Sequence, residues 1–310
     1  MPCMRPPFSV ELERLGPDGP RRSFNRAEAR NYCRRLAHDH YENFTVASVF
    51  LPRPLLRHFH AVYAYCRWAD DLADEAGGGA RALTLLRWWR QELLDCYEGK
   101  PRHPVMVALM DTIRRFEIPP EPFLDLLFAF EQDQLVKRYQ TFEQLLGYCR
   151  FSANPVGRLV LFLCEAYDAR RAELADHICT GLQLANFWQD VSRDLEIGRV
   201  YLPAEDLEAF GYSDADLHGR RSNAPFARLM RHEVDRARDF FVRGAPLVEL
   251  MPGFAQLDVE LFIQGGLAIL RKIEHRGYNV WAARPALASW EKVRLIAETL
   301  VHRISKTLVA

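Results

Sequence analysis

Between Leu182 and Pro203 the chain reads LQLANFWQDVSRDLEIGRVYLP, which sets Gln183, Asn186, Asp190 and Asp194 at steps of three, four and four residues. Residues three and four apart are neighbours on a helix, so the spacing predicts one polar stripe. A second run, Tyr63 to Glu75 (YAYCRWADDLADE), does the same with Arg67, Asp70, Asp71 and Asp74. Val62, Tyr65, Trp68 and Leu72 flank the one stripe, and Leu184, Phe187, Trp188 and Val191 the other. A helix apolar around most of its circumference is buried, and its polar stripe then faces an interior cavity. Carboxylates crowded there repel one another and lose hydration, so they need positive charge. Arg67 and Arg193 are near enough in sequence to supply some of it. Mg²⁺ takes only one or two carboxylates from each side and completes its shell with water and phosphate oxygens. A single DDxxD is as readily a solvated helix face. Two such stripes point instead to a magnesium and diphosphate site.

The chemistry such a site supports follows from charge. A prenyl diphosphate is an allylic ester whose C–O bond ionises once the leaving diphosphate is neutralised by cations and basic side chains. The carbocation then needs a dry, apolar pocket, lined in part by aromatic faces. With 19 Phe, 11 Tyr and 6 Trp the chain can supply that lining, although most of these rings are simply core.

The elements that carry the stripes read as helices. Residues 1–24, rich in Pro, Gly and Arg, show no periodicity and read as a loop or loosely attached arm. A helix is expected over 26–38, and a break follows through His40–Ser48. A long helix runs from about Pro54, where proline suits a first turn, to Glu75 before Gly77-Gly78-Gly79. Further apolar-periodic segments fall at about 82–98, 104–117, 121–134, 141–150, 154–168 and 171–196. After a Gly198–Pro203 connection come 222–243, 254–276 and 287–308. Few segments alternate with period two, so strands are not indicated. The expected architecture is all-α, one domain over residues 25–310, with helices around a central cavity.

Composition narrows the function classes. Lys+Arg and Asp+Glu both number 41, so no bulk charge calls for a nucleic acid. Seven cysteines are scattered singly without a CxxC pair, which argues against a disulfide framework or a zinc cage and fits a reducing cytosol. The most apolar run, Val156–Ala166, is interrupted by Arg158 and too short to span a bilayer. The expectation is a cytoplasmic protein, soluble or peripherally bound to a membrane.

Taken together, these runs resemble the squalene/phytoene synthase family, all-α isoprenoid synthases that join two prenyl diphosphates head to head; the resemblance spans about His40 to Arg294. YAYCRWADDLAD is similar to the family's first aspartate motif and QLANFWQDVSRD to its second. The resemblance implies Asp70, Asp74, Asn186, Asp190 and Asp194 as Mg²⁺ ligands, with the four aspartates serving catalysis. It implies Gln183 as a substrate contact, and Arg199 and Tyr201 of GRVYLP as the arginine and tyrosine that follow the second motif. GYCRFSANPVG resembles the helix whose tyrosine, here Tyr148, approaches the cyclopropyl intermediate. His40, Asn43 and Phe44 match the segment that meets the diphosphate and first prenyl chain. Tyr63 and Arg67 match the phosphate-facing side of the first acidic helix, and Tyr278 a late tyrosine near the pocket. As plain alternatives, Tyr63 and Tyr278 read as packing residues and His40 as a helix cap.

Two departures stand out. Asn154-Pro155 replaces glycines of many family members, and Gln189 stands where some relatives carry arginine. The combination HYENF…VAS, SANPVGRL and NFWQDVSRD is most similar to the hydroxysqualene synthases of bacterial hopanoid biosynthesis. That branch is implied to convert presqualene diphosphate and water to hydroxysqualene and diphosphate, with no NADPH. Presqualene diphosphate, squalene or phytoene synthesis from farnesyl diphosphate or related substrates stays open, because the same motifs serve condensation. A non-catalytic assembly factor would be expected to lose ligands. A chain-elongating prenyltransferase would want a second DDxxD, which DVSRD does not supply.

Overall fold

Proline and glycine set where the helices begin and end. The computed structural model of the protein describes residues 7–20, 22–39 and 51–309. Within it α1 is Phe8–Leu15, α2 Arg26–Asp39, α3 Arg53–Asp74, α4 Gly79–Tyr97, α5 Pro104–Phe116, α6 Glu121–Asp133, α7 Phe142–Ser152 and α8 Asn154–Leu163. The long α9, Ala169–Glu196, is followed by α10 (Ala204–Ala209), α11 (Asp214–His218), α12 (Ala224–Gly244), α13 (Leu247–Leu250), α14 (Gly253–His275) and α15 (Ser289–Val309). Proline occupies the first turn of α3, α5, α6 and α12, where its missing N–H costs no helical bond. After α3 the chain turns on Gly77, Gly78 and Gly79, all at positive φ (99°, 68° and 54°), a conformation that L side chains resist. Among the described residues only an isolated bridge, Arg138 with Val200, has β pairing. Among the described residues the fold is all-α, as expected.

The expected helices are all present, and four short ones are added. The periodic signal is weakest in pieces of four to eight residues, which explains α10, α11 and α13. α1 falls within residues 1–24, the stretch expected to be a loop or loosely attached arm. Phe8 is buried edge-on against Trp68, with ring centroids 5.1 Å apart, and Tyr32 donates to Glu11 at 2.8 Å. One apolar residue and one acid suffice to dock the turn, too few to register as a period.

By its contacts the chain divides into two compact units, Met1–Leu135 with Arg158–Ala166, and Val136–Gly157 with Tyr167–Ala310. In the first, α3 is packed by α2, α4, α5 and α6. Its buried face holds Tyr65 and Trp68, which stack on Trp89 at 5.8 and 5.4 Å. The polar tips of these rings are satisfied: Tyr65 donates to the Phe123 carbonyl at 3.0 Å, and Trp68 Nε1 to Tyr32 at 2.9 Å. Such a face has one rotational setting, so the opposite stripe of α3 is fixed with it.

In the second unit α9 packs against α7, α12, α13 and α14. Two glycines permit the closest approach. A Cβ on Gly181 would stand 3.1 Å from the Phe241 ring, and one on Gly266 only 2.2 Å from it. Phe241 of α12 is thus gripped by α9 and α14 where neither has a side chain. Trp188 Nε1 donates to the Glu233 carbonyl at 3.0 Å and fixes the rotation of α9. α14 has the length and composition to cross a membrane, a property shared by core helices of soluble proteins.

Candidate functional site

On α3 the stripe is Tyr63, Arg67, Asp70 and Asp74, half-buried to exposed, while Ala64, Tyr65, Trp68, Ala69 and Leu72 are buried. Asp71 departs from the expected stripe: it is wholly buried. Arg67 lies between them. Its guanidinium pairs with Asp70 at 3.1 Å, with Glu75 at 3.1 Å and, most closely, with Asp71. The buried Asp71 charge therefore has its cation one turn away. Loss of hydration raises the Asp70 carboxyl; Arg67 opposes the rise, and the carboxylates of Asp74, Asp71 and Glu75 add to it, leaving a pKa of about 6. Burial likewise pushes the Tyr63 phenol up to about 12, which keeps it a neutral hydrogen-bonding group.

On α9 the stripe is Gln183, Asn186, Asp190 and Asp194, all half-buried or exposed, between the buried Leu184, Ala185, Phe187, Trp188 and Val191. The face predicted from spacing is therefore real in both units. Its counter-charge is a different matter. Arg193, the neighbour expected from sequence, reaches Asp190 only at 3.9 Å and is mostly exposed. The close partner is Arg284, whose Nε donates to Asp190 Oδ1 at 2.5 Å and Nη2 to Oδ2 at 2.8 Å. Gln189, immediately before Asp190, is buried and accepts from Arg284 Nη2 at 3.1 Å; its own amide donates to the Pro285 carbonyl. Sequence reasoning missed Arg284 because 94 residues separate it from Asp190. Its only local mark is an arginine-proline pair in a loop with no acid nearby.

The GRVYLP segment returns beside α9. The Val200 amide donates to the Lys137 carbonyl at 2.8 Å and the Ala204 amide to that of Tyr139 at 3.0 Å. This pinning sets Tyr201 flat on Phe187, centroids 3.8 Å apart, with Tyr148 at 5.9 Å from Tyr201 and Tyr139 at 5.6 Å from Tyr148. Four buried rings thus form one cluster, two of them (Tyr139 and Phe187) not singled out from sequence. Asp194, Arg199 and Tyr201 line a common cavity of about 10 Å³, the size of one water centre, with Phe187 and Val191. Thr180 donates to Asn154 Oδ1 at 3.0 Å, so the Asn154-Pro155 departure ties the start of α8 to α9. Tyr278, just beyond the Arg276 C-cap of α14, has positive φ (64°); its amide donates to the Ile273 carbonyl at 3.0 Å, and the Arg231 guanidinium lies 5.4 Å from its ring centre. His40, Asn43 and Phe44 lie outside the described residues.

Asp70 and Asp74 on α3, and Asn186, Asp190 and Asp194 on α9, offer hard side-chain oxygens of the kind that suits a divalent cation such as Mg²⁺. Among the described residues no three acidic, His or Cys side chains form a ready-made cage. A site that completes its shell with water and phosphate oxygens needs none. The cation-deficient Asp70 and the arginine-neutralised Asp190 both show carboxylates placed where positive charge is required. The oxygen donors of each stripe fit such a cation.

A family model, squalene/phytoene synthase, matches residues 37–293. The chain belongs to the squalene/phytoene synthase family. Among solved structures, the squalene synthase HpnC from Alicyclobacillus acidocaldarius is 44% identical, with TM-score 0.78 over 81% of this chain and 95% of that one. A dehydrosqualene synthase is 26% identical, with TM-score 0.82 over 90% and 98%. The 15-cis-phytoene synthase of Synechocystis sp. is 30% identical over 93% of this chain and 89% of its own. Members of this family process prenyl diphosphates, and divalent metal binds the diphosphate.

Proposed function

We propose that the protein is an Mg²⁺-dependent isoprenoid synthase that converts presqualene diphosphate and water to hydroxysqualene and diphosphate, a step of squalene and hopanoid formation. The observation that carries the prenyl diphosphate reading is the pair of oxygen-donor stripes, each on the accessible face of an otherwise buried helix. The choice of step rests on the HYENF…VAS, SANPVGRL and NFWQDVSRD combination.

In this reading Asp70 and Asp74 of α3 would offer oxygen donors to metal, as would Asn186, Asp190 and Asp194 of α9, and the bound metal would supply the positive charge that neutralises a diphosphate. Arg67 and Arg199 bind and orient the phosphate oxygens, and Gln183 and Tyr63 contact the substrate, as do His40, Asn43, Phe44 and Tyr278. The C–O bond of the ester breaks with its electron pair leaving on the diphosphate. The cyclopropylcarbinyl cation rearranges beside Tyr148, where the rings of Tyr148, Tyr201 and Phe187 offer π faces and exclude bulk water. One water adds its oxygen to the cation and loses a proton, giving the alcohol. No reductant enters the balance, so NADPH is not a partner. The apolar substrate suits a cytoplasmic protein in peripheral contact with a membrane.

A second reading is favoured by the names of the relatives: squalene, dehydrosqualene and phytoene synthases. In it the same stripes ionise one prenyl diphosphate for attack by a second. Incubation of the purified protein with presqualene or farnesyl diphosphate, with and without NADPH, separates the two by mass spectrometry of the lipid. Hydroxysqualene from presqualene diphosphate, unaffected by NADPH, is the expected result. Efficient conversion of farnesyl diphosphate to presqualene diphosphate, squalene or a carotenoid precursor overturns the step while keeping the family. No turnover of any prenyl diphosphate favours a non-catalytic assembly factor.

A further inference from the structure

We propose that Arg284 occupies the carboxylate of Asp190 in place of a cation, and that a diphosphate releases it, so that metal binding on α9 is conditional on the anion. The inference rests on the proposed role of the α9 stripe as a metal site.

Both oxygens of Asp190 are engaged by one guanidinium, at 2.5 and 2.8 Å. This fork-to-fork geometry is the strongest pairing open to a carboxylate without a metal. A divalent cation arriving alone has to displace it, and until the guanidinium withdraws two positive groups compete for one carboxylate. A diphosphate offers the guanidinium the same planar acceptor geometry with more negative charge. Arg284 can then pass from carboxylate to phosphate and leave the Asp190 oxygens open.

The placement is built rather than incidental. Gln189, only 7% exposed, takes Arg284 Nη2 on its carbonyl and ties its amide to the next residue's backbone at Pro285. The loop that presents Arg284 is braced from within: Arg276 donates to the Ala283 carbonyl at 2.6 Å, and Asn279 accepts from the Trp281 amide at 3.1 Å. Trp281 packs on Phe226 at 5.2 Å, which anchors the loop to α12. The Arg284 side chain itself remains 32% exposed, so it can turn without unpacking the core. Arg193, one turn from Asp190 and 65% exposed, has neither the seat nor the fork.

The test compares wild type with Arg284→Gln by calorimetry in two separate arms, Mn²⁺ alone and inorganic pyrophosphate alone with chelator present. Arg284→Gln should bind Mn²⁺ about tenfold more tightly and metal-free pyrophosphate about tenfold more weakly, since one charge-assisted pair is lost in each case with opposite sign. A purely structural arginine does not move the two affinities in opposite directions. Arg284→Lys keeps the charge without the fork and should fall between; it decides the matter if the glutamine variant fails to fold. Equal Mn²⁺ affinity in wild type and variant, abolished in both by Asp194→Asn, overturns the inference and leaves the metal site standing. Mn²⁺ binding indifferent to Asp194→Asn overturns the metal site and the inference with it.

Discussion

The stripes of α3 and α9 look alike in sequence and are neutralised in different ways. On α3 the cation is local: Arg67, three residues before Asp70 and four before Asp71, is delivered by the same helix that carries the acids. On α9 the local candidate, Arg193, stays mostly exposed, and the cation comes from Arg284 in a loop beyond α14. A helix fixes an i,i+4 pair as soon as it forms, whereas a loop arginine finds its carboxylate only once the tertiary structure has closed. The first arrangement leaves Asp70 short of positive charge, because Arg67 is shared with Asp71 and Glu75. The second gives Asp190 a guanidinium of its own.

The sharpest break of this comparison is to neutralise each aspartate. Asp70→Asn and Asp190→Asn should each lower turnover by at least about 10²-fold, measured with the prenyl diphosphate that the wild type accepts. Their stabilities should part. Asp70→Asn relieves a crowd of carboxylates, and Arg67 keeps Asp71 and Glu75, so the melting temperature holds or rises. Asp190→Asn strips Arg284 of its partner and should cost about 2 kcal/mol in denaturant unfolding. Melting temperatures in the reverse order would show that the two stripes are not neutralised as described.

Removing the local cation comes next. Arg67→Ala leaves the fully buried Asp71 without its closest partner, which should destabilise the fold by about 3 kcal/mol. Arg67→Lys preserves the charge and should restore most of that stability, yet it loses the forked phosphate contact and should raise the KM for the prenyl diphosphate. A lysine variant with unchanged kinetics removes Arg67 from the diphosphate site and leaves it a structural counter-ion of Asp71.

The smallest effect uses a third carboxylate as the reference with no cation. Asp258 of α14 is 5% exposed, and neither of its oxygens has a hydrogen-bond partner among the described residues. Burial raises its pKa from 3.8 to about 7. Between those values the unfolded chain releases a proton that the folded chain keeps, so this group removes stability as pH rises from 3.8 towards 7. Asp258→Asn should therefore stabilise the protein at pH 8 relative to pH 5 by on the order of 2 kcal/mol, read from urea unfolding at both pH values. An identical difference at the two pH values would mean that Asp258 is paired after all.

Which residues share a face was legible from spacing alone. Helical geometry obliges Gln183, Asn186, Asp190 and Asp194 to line up wherever the helix goes, and the prolines and glycines that bound α3, α5 and α6 act through their own backbone restrictions. So the helix order and the two stripes could be read from the chain, and so could the family, through motifs that are local runs. Three things could not. α1 is held by Phe8 against Trp68 and Tyr32 on Glu11, contacts that no local pattern announces. Tyr139, Tyr148, Phe187 and Tyr201 become one aromatic cluster only because Val200 and Ala204 bond back to the 137–139 strip. Arg284 meets Asp190 across 94 residues. Periodicity reports how a segment relates to its own axis and carries nothing about which distant side chain fills the space opposite. The sequence determined the rows of polar side chains, and the tertiary structure decided what neutralises each row.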